Sequence, residues 1–208
     1  MTFNARFSTD RSSFCAEFGP VQSASDGGFE RGYAEGYADG VESVPDYLEM
    51  RIEGTLTEYS NPSITAVAPQ AFRQLQQLTR LDLPNATSIG SESIRQCTSL
   101  TRLVFPKATS ITTAAMSGCT SLRYVEFGAT VTLGQQSLNN CSILEALVLR
   151  SDKLCTLSHA SNVFTGTPIA NGTGFIYVPD NLVEEYKTAS NWSNYASQIK
   201  PISELPEQ

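Results

Sequence analysis

Three cysteines recur at a fixed spacing, at Cys97, Cys119 and Cys141. Thiols that a fold brings together can bind a metal ion or form disulfides. Metal binding is disfavoured, because the chain has no CxxC motif and a single histidine, His159. Stacked neighbours could bring two Cα atoms to about 5 Å, which permits a disulfide. However, the chain has five cysteines and Cys15 lies far from the others, so we expect free thiols and no metal.

The cysteines belong to a sequence repeat with a period of 22 residues. Each unit opens on a leucine, and the four units in phase begin at Leu56, Leu78, Leu100 and Leu122. A fifth begins at Leu144 and is stretched, so that Phe164 comes about four residues later than the period predicts. Leu75 occupies the cysteine position in the first unit, which indicates that this position is apolar and that the cysteines fill a core.

Each unit predicts one short strand. The segment L-x-x-L-x-[LF] ends in an apolar alternation of period two, and Pro84 or Pro106 then ends the strand. We expect strands that begin near Leu78, Leu100, Leu122 and Leu144 and pair in parallel. Their buried column would consist of Leu81, Leu103, Val125 and Leu147. The fold predicted is an α/β solenoid of stacked coils, with parallel strands on one face and short irregular or helical returns.

The tandem pattern L-x-x-L-x-[LF]-P-x-A-T-S-I-(x)4-I-x-x-C-T-S resembles the bacterial surface-antigen, or BspA-like, type of leucine-rich repeat. The resemblance covers residues 56 to about 167, and Gly128 replaces the proline in the third unit. It implies a curved solenoid that binds other macromolecules or builds surfaces and virions. It implies no catalytic activity and no cofactor.

Four regions follow from the pattern: an N-terminal hairpin and flexible joint (1–27), a Gly/Tyr-rich helix (28–47), the solenoid (48–170) and a C-terminal cap (171–208). In the cap we expect a strand over 174–178 and a helix that starts at Asn181, with Glu184 three residues later. Trp192, Tyr195 and Ile199 would close the end of the core. The alternative for Trp192 is a platform for a ligand.

The Gly/Tyr-rich segment has a glycine every fourth residue. Interior glycines cost a helix about 1 kcal/mol each relative to alanine, so something must pack against this one. It either caps the first coil or joins identical helices in a homo-oligomer. The assembly candidates are Gly32, Tyr33, Gly36, Tyr37 and Gly40.

Strand alternation also predicts an outer face. The binding residues expected there are Arg80, Asp82, Arg102, Val104, Tyr124 and Glu126, with Ala146 and Val148 beside them. The partner would be a protein or a cell-surface macromolecule. The alternative is that these polar residues only keep the sheet soluble.

Charge and motifs limit the function classes. A net charge of −7 disfavours nucleic acid, and the chain has neither a long apolar run nor a secretory signal. We therefore expect no membrane insertion and synthesis in the cytoplasm without a signal peptide. The opening MTFNARF resembles small structural proteins of prophage tail clusters, which implies a virion-associated tail or baseplate component. Two classes remain: a non-enzymatic binding or structural module, and an enzyme or metal protein, for which we find no catalytic constellation.

Overall fold

The computed structural model describes residues 56–159 and 162–207. The described residues form coils that each carry a longer strand on a front face and a two-residue strand on a second face. The front strands of the coils are β1 Glu58–Ser60, β3 Arg80–Asp82, β5 Arg102–Phe105, β7 Tyr124–Phe127 and β9 Ala146–Leu149. The second strands are β2 Ala66–Val67, β4 Ser88–Ile89, β6 Ser110–Ile111, β8 Thr132–Leu133 and β10 Thr156–Leu157.

The cap follows the last coil. It contains a helix α1 at Pro168–Asn171, a strand β11 at Phe175–Val178, a 3-10 helix at Asp180–Leu182 and a helix α2 at Val183–Thr188. A 3-10 helix at Trp192–Gln198, a strand β12 at Ile199–Pro201 and a last 3-10 helix at Ile202–Glu204 complete it.

The strands of successive coils pair in parallel, which confirms the predicted solenoid. The front strands form the order β12-β11-β9-β7-β5, and β1 pairs with β3 beside them. The second strands form the order β10-β8-β6-β4-β2. The register equals the sequence period, since Leu103 lies opposite Val125 and Val125 lies opposite Leu147. One unit therefore makes one coil.

The strands begin two residues later than the sequence predicts. From the unit that begins at Leu78 onward, the first leucine still belongs to the preceding turn, because its N–H donates to the carbonyl of the residue three positions earlier, which is a cysteine in every unit after that one. For Leu100 and Cys97 the distance is 3.3 Å, and for Leu122 and Cys119 it is 3.1 Å. The leucine N–H is thus not available to the ladder, and β5 starts at Arg102.

The predicted core column is confirmed. Leu81 is 5% exposed, Leu103 is 1% exposed, and Val125 and Leu147 are fully buried. Gly128, which replaces a proline, also has a structural reason. A Cβ at this position would lie 2.5 Å from the carbonyl oxygen of Pro106 in the preceding coil, so only glycine allows this approach.

The third side of each coil is a chain of turns. Two positions in each of the first four coils adopt left-handed φ values between 55° and 75°: Gln70, Glu92, Ala114 and Gln136 at the first, and Gln74, Gln96, Gly118 and Asn140 at the second. Alternate N–H groups donate forward to carbonyls of the next coil. Between the first two described coils, Gln70, Phe72 and Gln74 donate to Ser91, Ser93 and Arg95 over 2.6–2.9 Å.

The C-terminal cap covers the last coil. Trp192 is 1% exposed, and its indole N–H donates to the carbonyl of Cys155 over 2.8 Å. The hydroxyl of Tyr186 accepts the backbone N–H of Cys155 over 2.9 Å. Asn191 donates to the carbonyl of Leu157 over 2.7 Å. Side chains of the cap thus form hydrogen bonds with backbone groups of the last coil that would otherwise pair with the backbone of a further coil.

The predicted helix start at Asn181 is wrong. Asn181 lies inside the 3-10 helix, and α2 begins at Val183 with Leu182 at its N-cap and no side-chain cap hydrogen bond. The 3-10 turn takes the place of a capping box. The neighbouring Asp180 instead accepts the backbone N–H of Ser203 over 3.1 Å, which holds the C-terminal segment.

Candidate functional site

The outer face of the front strands carries the predicted binding residues. Arg102 lies opposite Tyr124, and Val104 lies opposite Glu126, so the rows expected from the sequence are formed between β5 and β7. Arg80 and Asp82 lie on β3, which contacts β5 but has its ladder with β1. The exposure of the predicted binding residues differs from one end of the face to the other.

The β3 end of the face is open and charged. The side chain of Arg80 is 64% exposed, and its guanidinium lies 3.8 Å from Asp82 and 4.0 Å from Glu58 on β1. Ser60 donates to Asp82 over 3.1 Å. Such exposed pairs contribute little to stability, about 0–1 kcal/mol. These side chains therefore remain accessible to a partner.

The middle of the face is an ordered network. The guanidinium carbon of Arg102 lies 4.5 Å from the ring centroid of Tyr124, in a cation–π contact. The hydroxyl of Tyr124 donates to Glu126. The guanidinium of Arg150 donates two hydrogen bonds to the same carboxylate in a bidentate contact, from Nε to Oε1 at 2.7 Å and from Nη2 to Oε2 at 3.0 Å. These four side chains hold one another in place.

The pKa shifts agree with this network. Burial raises the pKa of the Glu126 carboxyl, but hydrogen bonds from Arg150 and Tyr124 outweigh it, and the net pKa is lowered. The pKa of Arg150 is raised, chiefly by its hydrogen bonds to Glu126. Burial, followed by the contact with Glu126, raises the pKa of Tyr124. Glu126 is thus held ionised and Arg150 protonated.

The β9 end of the face is apolar and covered. We call Tyr124, Ala146, Val148 and Tyr177 the outer cluster; they are 4%, 8%, 0% and 5% exposed. Val104, Phe175, Ile202 and Leu205 pack against it. Tyr124 and Val148 therefore point to the outer face, as expected, but are not exposed there, because the C-terminal segment lies over the sheet. Replacing Tyr124 by alanine would remove a core contact as well as a surface group.

The repeated cysteines lie inside the coils. Cys97, Cys119 and Cys141 are fully buried, and neither they nor Cys155 forms a disulfide in the described part of the chain, as the sequence predicts. Each repeated thiol donates to a carbonyl 25 residues earlier, in the preceding coil: Cys97 to Phe72 at 2.9 Å, Cys119 to Ile94 at 3.1 Å and Cys141 to Met116 at 3.3 Å. The cysteine is both an apolar filler and a donor, and the sequence pattern indicated only the first.

Over 56–159 and 162–207, no three or more His, Cys, Asp or Glu side chains are grouped to hold a metal ion. His159 is exposed. Within the same ranges, no helix has the length and apolar character needed to cross a bilayer.

The predicted assembly residues lie outside the described part of the chain. This applies to Gly32, Tyr33, Gly36, Tyr37 and Gly40, and to the regions 1–27 and 28–47. Their role in capping or in a homo-oligomer stays a prediction.

The stacked coils, the parallel front strands and the leucine-filled interior define a leucine-rich repeat solenoid. In particular, the family described as BspA type leucine rich repeat region matches residues 54–172 with six copies, and the chain belongs to this family. Comparison with curated proteins gave no match. Six copies exceed the four complete units and one stretched unit recognised in the sequence.

Proposed function

We propose that this leucine-rich repeat module binds another protein, or a cell-surface macromolecule, through the outer face of β3, β5 and β7, and that it is not an enzyme. Leucine-rich repeat domains serve generally in protein interaction or as structural modules, and the chain belongs to such a family. The proposal assigns that role to one part of one face.

The supporting observation is the difference between the two ends of the face. At β9 and β11 the outer cluster is already covered by the chain's own Ile202 and Leu205. At β3 and β5 the side chains of Arg80 and Arg102 are exposed, and Val104 is half-buried. The uncovered part therefore offers arginine side chains beside an apolar one, and arginine is enriched among the interface residues that contribute most to binding.

Solubility alone does not require the Glu126 network. A solvated sheet needs charged side chains, but it does not need a carboxylate that is only 14% exposed and held by Arg150 and Tyr124. Desolvating a carboxylate is unfavourable, and these hydrogen bonds must offset it. An ordered network of this kind loses less side-chain entropy when a partner binds.

A tail or baseplate component of a virion is the second candidate. It rests on the resemblance of MTFNARF to prophage tail proteins, and those residues lie outside the described ranges. Under this second candidate function, the protein is synthesised in the cytoplasm and its N-terminal segment assembles with other virion proteins. The sheet face then binds the receptor.

Site-specific photo-crosslinking tests the proposal. A benzophenone amino acid replaces Arg80 or Val104 on the face, or Thr109 on the exposed edge of a coil as a matched control. The full chain is irradiated in extract of its source cell, and adducts are identified by mass spectrometry. We expect the same partner from positions 80 and 104 and none from 109.

The outcomes discriminate between the candidates. Equal labelling from position 109, or no discrete adduct from either face position, would contradict a binding role for this face. If the adduct contains a tail or baseplate protein, it supports the virion candidate. If it contains an envelope or secreted protein, it supports a cell-surface role.

A further inference from the structure

Arg102 differs from the other arginines that the structure describes. Five of them have a carboxylate within 4.0 Å: Arg73 and Arg95 at Glu92, Arg80 at Asp82 and Glu58, Arg123 at Glu145, and Arg150 at Glu126. In the same part of the chain, Arg102 forms no ion pair, and its side chain is exposed on the outer face. Its guanidinium thus has donors available for an anion.

Tyr124 holds this guanidinium in place. The ring lies under the Arg102 guanidinium at 4.5 Å, and the ring itself is fixed by the outer cluster and by its hydrogen bond to Glu126. A guanidinium stacked on an aromatic ring keeps its edge free for a bidentate carboxylate.

Val104 supplies an apolar neighbour. It points to the same side of β5 as Arg102, two residues on, which places the two side chains about 7 Å apart. Val104 packs at the edge of the outer cluster and is half-buried. A cation and an apolar surface therefore lie within reach of neighbouring side chains of one peptide segment.

The C-terminal segment uses the same arrangement at the other end of the face. The ammonium of Lys200 lies 3.9 Å from the ring centroid of Phe175, and it also lies 3.8 Å from the carboxylate of Glu204. Leu205, the next residue, packs against the outer cluster. At this end of the face, the cation stacked on an aromatic ring is paired with a carboxylate, and the residue next to that carboxylate in the sequence is apolar.

We propose that Arg102 and Val104 bind an acidic–apolar segment of a partner protein, with the carboxylate on Arg102 and the apolar side chain on Val104. This inference rests on the proposed function and adds the chemistry of the partner. The pair Lys200–Glu204 with Leu205 is the internal precedent. Arg102 over Tyr124 is the equivalent cation, and in the described residues it has no carboxylate within 4.0 Å.

The net charge of −7 does not oppose this contact. Overall charge acts on association at long range and is screened beyond about 8 Å at physiological ionic strength. An acidic segment at Arg102 interacts with the guanidinium within contact distance. The whole partner need not be acidic.

A random peptide library displayed on phage serves as the probe, and the purified full chain is the target. Selected peptides are synthesised and titrated against the wild type and three variants. Arg102→Gln removes the cation, Val104→Asp disrupts the apolar contact, and Arg123→Gln is the control, because Arg123 is already paired with Glu145. Thermal unfolding checks that each variant is folded.

We expect selected peptides to carry Asp or Glu beside an aliphatic or aromatic residue. Arg102→Gln should weaken their binding about tenfold or more, and so should replacing the peptide carboxylate by an amide, whereas Arg123→Gln should leave it unchanged. Binding that is lost in Val104→Asp but unaffected by Arg102→Gln overturns the carboxylate site and leaves the face as a binding surface. Binding that is indifferent to both variants, or an empty selection, overturns the proposed function as well.

Discussion

The thiol of Cys119 donates a hydrogen bond to the carbonyl oxygen of Ile94 in the preceding coil, over 3.1 Å. The same carbonyl accepts the N–H of Cys97 only at 3.4 Å, which is long for an N–H to oxygen bond. The thiol therefore supplies a partner that the backbone supplies poorly. This relationship recurs for Cys97 and Cys141, and it accounts for a cysteine at this place in each coil.

Substitutions at Cys119 test the role of this bond. Cys119→Ala removes both volume and donor and should lower the free energy of unfolding by about 1–3 kcal/mol. Cys119→Ser keeps a donor for the Ile94 carbonyl, so we expect it to be more stable than Cys119→Ala in denaturant titrations. The reverse order would show that the thiol acts only as an apolar filler.

The buried thiols should not react in the native protein. Burial raises the pKa of Cys119 to about 12, and burial followed by the neighbouring Cys119 raises the pKa of Cys141. The thiolate is the reactive form, so a maleimide at pH 8 should leave Cys97, Cys119, Cys141 and Cys155 unmodified. In a Cys15→Ser background, mass spectrometry should show four additions after unfolding. Rapid labelling of Cys119 in the native state would contradict its burial.

The core column predicts a large effect at Leu103. Leu103→Ala removes a side chain that is 1% exposed and should cost about 2–5 kcal/mol in the free energy of unfolding. Val104→Ala, one residue along on the outer face, serves as the control and should cost less, because Val104 is only half-buried. Equal losses for the two variants would contradict the register of β5.

The left-handed turns predict a conformational effect at Gly118. Its φ is 75°, so Gly118→Ala should destabilise the protein by about 1–2 kcal/mol, measured by denaturant unfolding. Ala114 already adopts a φ of 55° in the same turn. Ala114→Gly relieves that strain but raises the conformational entropy of the unfolded chain. The two effects oppose each other, so we expect a smaller change in the free energy of unfolding than for Gly118→Ala. A neutral Gly118→Ala would show that the turn can rearrange.

The Glu126 network predicts a dependence of stability on pH. The pKa of Glu126 is lower in the folded than in the unfolded state, since the hydrogen bonds from Arg150 and Tyr124 outweigh its burial. Its contribution is therefore present above the ordinary pKa of a glutamate and is lost as the pH falls through the lowered value. Wild type should exceed Glu126→Gln in stability at pH 7, and the difference should shrink in acid. A difference that is constant with pH would exclude this linkage.

The period was sufficient to predict the stacking, because every coil repeats the same inward positions. Leu103 and Val125 could be placed in one column from spacing alone, and the structure pairs them. The exposure of the outer face could not be predicted in this way. Val148 is buried by Ile202 and Leu205, more than fifty residues further along the chain, and strand alternation carries no information about such a contact.

Two local features also escaped the sequence. The strands start late because the leucine N–H, for example that of Leu122, is already bonded within the turn. The thiol hydrogen bonds link residues 25 apart, whereas the repeat is 22 residues long, so aligning the units does not bring the partners together. The signal in the sequence for these thiol hydrogen bonds was that later units carry a cysteine at the position that Leu75 occupies in the first unit.

The forward hydrogen bonds of the turn side give the stack a direction. Gln74, Gln96 and Gly118 each donate to the following coil, and none of these three donates backward. In a coil inserted in the reverse orientation, the N–H donors of this side would face the N–H donors of the neighbouring coil. We therefore expect head-to-tail duplication or deletion of whole 22-residue modules to preserve the backbone hydrogen bonds of this side. A library of such proteins with different lengths could be assembled from this one gene.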